Sequence, residues 1–345
     1  MTSRLHTTLG VAAVAAGALV LSACGSGASG GSSAAGAGSI TLYNAQHESL
    51  TKEWVDAFTK QTGIKVTVRN GDDTEMSNQL VAEGQASPAD VFLTENSPAM
   101  TQVENAGLFA DVDKATLAQV PEQYRPSTGK WVGIAARSTV LVYDKRKVQE
   151  NQLPASMLDL AKPEWKGRWA ASPSGADFQA IVSALLQLKG EAATNDWLTA
   201  MKTNAKVYKG NSTAMKAVNS GEVDTALIYH YYYYGDQAKT GENSANVGTH
   251  YFKHQDPGAF VSVSGGGVLK SSKNAAAAQA LLKFITGKTG QEVLEKGTSF
   301  EYAVGSGVPS NPALVPLKEL QAPSVDPAKL NSATVTDLMT KAGLL

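Results

Sequence analysis

An α/β fold in two lobes is what this sequence predicts, on three observations. Strand-like apolar runs alternate with amphipathic helical runs from residue 40 onward, the pattern of a mainly parallel sheet covered by helices. About three hundred residues follow an N-terminal leader, more than one core ordinarily serves. Two strand-like runs, residues 130–137 and 138–144, stand nearly end to end, as a chain passing from one lobe to the other would.

Residues 1–23 carry Arg4 and His6, then an unbroken apolar stretch too short to span a bilayer, then small residues. They read as a secretory signal, excluded from the fold. Leu21-Ser22-Ala23-Cys24 resembles a bacterial lipobox, and Cys24 is the one cysteine of the chain. It is expected to be the lipidated N-terminus, holding the protein at the outer face of the cell membrane. Residues 25–39 are almost wholly Gly, Ser and Ala, a flexible tether spanning roughly 20 Å.

In the first lobe, residues 40–44 form a strand, and Leu50, Trp54 and Phe58 mark a helix closed by Gly63. Ile64, Val66 and Val68 alternate as a second strand, residues 73–83 form a helix, and residues 89–94 form a third strand. Ser97-Pro98 reads as an N-cap followed by proline, with Gly107 ending that helix. His47 follows the first strand and Glu95 the third, so both are expected on the sheet edge where such folds collect ligands.

The lobes are expected to comprise residues 40–137 with about 262–312, and residues 138–261 with about 313–345. Arg137 falls near the crossing. In the second lobe Ser174-Gly175-Ala176 opens a helix whose apolar face includes Phe178, Ile181 and Leu185, and such a turn offers unpaired N–H groups to a small anion. Asn211 opens a later helix. The chain returns through residues 260–263 and a glycine triplet, Gly265 to Gly267, where backbone bending is cheap. Helices at residues 275–286 and near the C-terminus, with residues 291–296 and 301–304 between them, complete the chain.

Five of eleven tyrosines lie between residues 229 and 234, directly after the apolar run Thr225-Ala226-Leu227-Ile228. Taken alone, such a cluster is better read as packing with wet hydroxyl tips. The alternative is that Tyr231 and Tyr232 bind a hard, highly charged cation as phenolates. Adjacent side chains on a strand face opposite ways, so that alternative requires the strand to end by about His230. Tyr233 and Tyr234 then belong to the following helix.

A net charge of −1 leaves no basic footprint for nucleic acid. With no cysteine after Cys24, no glycine-rich nucleotide loop and no Gly-x-Ser-x-Gly elbow, no catalytic constellation stands out.

Taken in order, Tyr43-Asn44-Ala45-Gln46-His47, Asp90-Val91-Phe92-Leu93-Thr94-Glu95, Pro173-Ser174-Gly175-Ala176 and Ala226-Leu227-Ile228-Tyr229-His230-Tyr231-Tyr232 resemble the periplasmic ferric-ion-binding proteins of bacterial ABC importers, the transferrin-like class of type II periplasmic binding proteins. The resemblance runs from about residue 39 to the end. It implies a monomer of two lobes joined by a hinge of crossing strands, with ferric iron held by His47, Glu95, Tyr231 and Tyr232. It also implies a synergistic anion, phosphate or carbonate, held by Ser174, Gly175, Ala176 and Asn211 with Arg137 nearby, and delivery to a permease with its ATPase. Several family members have asparagines where this chain has Tyr229 and His230, one of them an anion contact, so the anion's identity and need stay open. Glu95 and two phenolates would balance a trivalent ion with His47 neutral, and their release of about two protons would weaken binding at low pH. A lipoprotein of the same fold for a sugar, polyamine or phosphate compound is the alternative.

Overall fold

The structure, a computed structural model, describes residues 38–345; the expected signal, Cys24 and most of the tether lie outside the described residues. The chain enters at β1 (Ser39–Ala45) and continues through α1 (Glu48–Thr62), β2 (Lys65–Asn70), α2 (Asp73–Glu83), β3 (Val91–Thr94), α3 (Ser97–Asn105), α4 (Lys114–Leu117) and β4 (Val132–Asp144). Then come β5 (Trp169–Ala171), α5 (Ala176–Asn204), β6 (Ala205–Val207), α6 (Asn211–Ser220), β7 (Thr225–Tyr229) and α7 (His230–Lys239). After these stand β8 (Val247–His250), β9 (Val261–Val268), α8 (Ala275–Thr286), α9 (Lys288–Lys296) and α10 (Ser332–Lys341).

Helix α1 shows how the pattern becomes structure. Leu50, Trp54 and Phe58 recur every four residues and are all buried, which stabilises by about 1.5–3 kcal/mol for a leucine or phenylalanine. The Trp54 indole donates to Gly290 O at 2.8 Å, tying α1 to α9. The helix ends where Gly63 adopts a left-handed φ of 76°, a conformation open to glycine at little cost. At α3 the expected cap shifts by one residue: Asn96 holds the cap position and Ser97 is already helical. The Ser97 hydroxyl instead donates to Val263 O at 2.6 Å, so it joins α3 to β9.

The strands run in the order β2-β1-β3-β9-β4-β7-β5-β6, with β8 also paired to β4. The outer ladders, β1 with β2 and β3 and β5 with β6 and β7, are parallel. Those involving β9 and β4 in the middle are antiparallel. The two end-to-end runs prove to be one strand, β4, buried along its length. Its residues 132–138 pair with β9 and residues 139–143 with β7, so the pairing partner changes just after Arg137. Ala136 also bridges to Tyr302 there, a third segment at the same level.

The glycine triplet has a different role from the one expected. None of the three has positive φ; they are close-packing positions. A Cβ on Gly265 would lie 2.3 Å from Met100 Cγ, on Gly266 2.8 Å from Leu282 Cδ2, and on Gly267 2.6 Å from Phe109 Cε1. Gly265→Ala or Gly267→Ala is therefore expected to destabilise by about 1–3 kcal/mol through overpacking. Thermal melting checks this; an unchanged melting temperature in both variants would refute the packing role.

Candidate metal centre

Strand β7 ends at Tyr229 and α7 begins at His230, the boundary that lets neighbouring tyrosines share one site. On the first helical turn the Tyr231 and Tyr232 rings stack with centroids 4.3 Å apart. Both hydroxyls donate to Asp177 Oδ2, each at 3.1 Å. The N-terminus of α7 favours negative charge at this spot. Tyr233 and Tyr234 lie farther along α7, where Tyr234 stacks on Phe300 at 6.0 Å, a packing role.

His47 stands at the start of α1. Its Nε2 is 3.0 Å from Glu95 Oε1 and its Nδ1 is 3.0 Å from Glu301 Oε1. Its ring meets the Tyr231 ring edge-on, centroids 4.9 Å apart. Burial alone would lower the His47 pKa, but the Glu301 and Glu95 carboxylates on either side push it up to about 10. Glu301 goes the other way, to about 2: burial opposes its charge, and the Arg137 guanidinium and His47 more than offset that.

Arg137 and Glu301 form a fully buried ion pair at 2.6 Å, and Arg137 also donates to Gln46 Oε1 at 3.2 Å. The Arg137 guanidinium lies over the Tyr231 ring at 5.6 Å. It underlies the cleft and is not among the residues that line it, and its charge faces Glu301. Glu301 itself is a functional residue that sequence reasoning missed, because nothing local to residues 299–303 signals a partner so distant in the chain.

The second missed residue is Asp177, in the first turn of α5 directly after the expected anion turn. It is buried and accepts from Asn211 Nδ2 at 2.9 Å and Asn96 Nδ2 at 3.0 Å besides the two tyrosines. Burial, then the nearby Glu95 charge, raise its pKa. An acid at a helix start beside the expected anion turn was a readable signal. Asn211, expected to hold an anion, holds this carboxylate.

His47, Glu95, Gly175, Ala176, Asn211 and Tyr232 line one cleft of about 370 Å³ together with Asp177. Ser174 is exposed and outside this lining; Ser172 is the serine that faces the cleft, its Oγ accepting from Gly210 N at 2.9 Å. A larger cleft of about 590 Å³ opens beside α3 and α10, lined by amides and hydroxyls such as Asn78, Gln102 and Asn331. Converging charge, and not volume, distinguishes the smaller one. His230 is fully buried, accepts at Nδ1 from Ser138 N at 3.1 Å and stacks on Tyr302. Burial lowers its pKa to about 4, so it is a neutral core histidine turned from the cleft.

Comparison with known proteins identifies relatives of this chain. Residues 86–330 match the family described as bacterial extracellular solute-binding protein. The chain is 71% identical over 306 residues to the Fe(3+)-binding periplasmic protein of Serratia marcescens, covering 89% of this chain and 90% of that one. It is 37% identical over 308 residues to the major ferric iron-binding protein of Neisseria gonorrhoeae, covering 88% and 93%. Among solved structures, iron-bound HitA from Pseudomonas aeruginosa superposes with a TM-score of 0.83 at 42% identity, covering 89% of this chain and 99% of that one.

Proposed function

This chain belongs to the bacterial extracellular solute-binding protein family, and from that premise we propose that it captures ferric iron outside the cytoplasmic membrane and delivers it to an ABC permease. The two-lobed α/β fold is that of its ferric-binding relatives. The observation that carries the reading is one cleft lined by His47, Glu95, Tyr232 and Asp177, with Tyr231 packed edge-on against His47 and bonded to Asp177. An imidazole, two carboxylates and two phenols form a hard, oxygen-rich set. His47 with Glu95, and each phenol with Asp177, stand 3.0 to 3.1 Å apart, so within each group the donors are already gathered at hydrogen-bond distance. A neutral sugar or an anionic phosphate compound would not call for so much anionic oxygen.

Asp177 takes the place of the separate anion. Its carboxylate accepts from Asn211, the residue expected to hold phosphate or carbonate, and on this reading binding proceeds without either. Glu301 orients His47 through Nδ1 and leaves Nε2 for the ion. The protein is read as a monomer, tethered through a lipid on Cys24.

Closure follows from the division of donors between the two sides of β4: the ion is fully bonded only when they meet. Three protons stand in its way, two on the phenols and one on His47, because the flanking carboxylates hold the imidazole charged. The raised His47 pKa stabilises the metal-free fold fully below pH 6.5, a contribution lost as pH rises through about 10. Ferric binding must displace that proton, so affinity falls steeply as pH drops, and about three protons, not two, should leave per ion bound. A pH-stat titration with a ferric chelate, corrected for proton uptake by the chelate, measures this. Release of two would show that His47 is neutral before the ion arrives, and iron bound without a visible phenolate-to-iron band would remove the whole reading.

A further inference from the structure

Asn96 follows Glu95 at the end of β3 and is buried. Its amide uses every hydrogen-bonding position. Nδ2 donates to Asp73 Oδ2 at 3.1 Å and to Asp177 Oδ1 at 3.0 Å, while Oδ1 accepts from Ser262 Oγ at 2.9 Å and from the Tyr229 hydroxyl at 3.3 Å. Asp73 in turn accepts from the backbone N–H groups of Glu95 and Asn96, both at 3.0 Å. Asp73 and Asn96 belong to elements on the β3 side of β4, Asp177 and Tyr229 to elements on the β7 side. Two of the four side-chain bonds thus cross between the halves, and neither involves a cargo.

We propose that Asn96 is a clasp, a positioning residue that sets the closed register of the two halves and so carries Asp177 and the phenols to Glu95 and His47. The reason is valence: among neutral side chains of this reach, a carboxamide offers two donors to two carboxylates and two lone pairs to two hydroxyls at once. A carboxylate here would put three acids together, and an alkyl group would leave four buried partners unmatched. The consequence for iron rests on the ferric reading above; the clasp itself does not.

Two variants test it. Asn96→Ala removes all four bonds, and Tyr229→Phe removes one crossing hydroxyl while keeping the ring. The measurements are the rate at which EDTA strips ferric iron, followed by the visible band, and the radius of gyration of the iron-free protein by small-angle scattering. Asn96→Ala should release iron about tenfold faster or more, with an unchanged absorption maximum, and its iron-free form should be more expanded. Tyr229→Phe should move both readouts in the same direction by about two- to fivefold in rate. A folded Asn96→Ala with wild-type release and wild-type dimensions would overturn the clasp, whatever its melting temperature, and so would a shifted absorption maximum, which would mean that Asn96 acts on the ligands and not on closure. If Asn96→Ala does not fold, unchanged release and dimensions in Tyr229→Phe overturn it equally. If the wild-type protein binds no ferric iron, the ferric reading fails and scattering alone still decides the clasp.

Discussion

Replacing Tyr231 and Tyr232 together by phenylalanine abolishes the visible absorption of the ferric protein and weakens iron binding by more than about a thousandfold, the scale expected when two anionic ligands are lost. The fold should survive. Both rings remain to stack on each other and against His47, and Asp177 keeps its bonds from Asn96 and Asn211. The loss of two hydrogen bonds to a buried carboxylate costs about 1–3 kcal/mol each at most, which melting curves would report. Each single variant should retain a weaker band from the remaining phenolate. Coloured binding that persists in the double variant would end the phenolate mechanism, and colourless wild-type binding would do the same.

Asp177→Ala makes the second large effect, and it has two parts. In buffer free of phosphate and carbonate, iron binding should weaken about a hundredfold or more, because the carboxylate held by Asn211 and Asn96 is gone. Millimolar phosphate should then restore a good part of the affinity, since truncation opens the cradle formed by Asn211, Gly175 and Ala176. The wild-type protein should be indifferent to phosphate. Isothermal titration with and without the anion gives both numbers. A wild-type protein that needs phosphate, or an Asp177→Ala protein that binds normally without it, would show that the built-in carboxylate does not replace a free anion. Asp177→Asn keeps the volume and serves as the control for folding.

The readable parts of the site share one property: their signal is local. Tyr231 and Tyr232 are adjacent in the chain, and a site shared by both required β7 to stop by about His230; it ends at Tyr229. His47 and Glu95 each follow a strand, so alternation was enough to put them on one rim. Asp177 was within reach of the same reasoning, one residue beyond the turn already singled out, but a first-turn acid is so common that it carried no weight without Asn211 and the phenols around it. Glu301 had no such signal. It meets Arg137 across 164 positions of chain, and a contact of that length becomes visible only when the third segment bridges β4 at Ala136.

Hydrophobic periodicity and chain punctuation by themselves determined the α/β class and the helix faces such as that of Trp54, because each depends on neighbours a few positions apart, whereas the set of ferric ligands rested on the resemblance to ferric-ion-binding proteins. Tertiary structure alone decided which charges are compensated. It paired Arg137 with Glu301, gave Asn211 a carboxylate from its own chain, turned His230 into core and made the glycine triplet a packing surface. The physical reason is that the energy of a buried charge is set by what desolvates and what faces it, and in this protein those groups are brought together only by the crossing of β4 and β9.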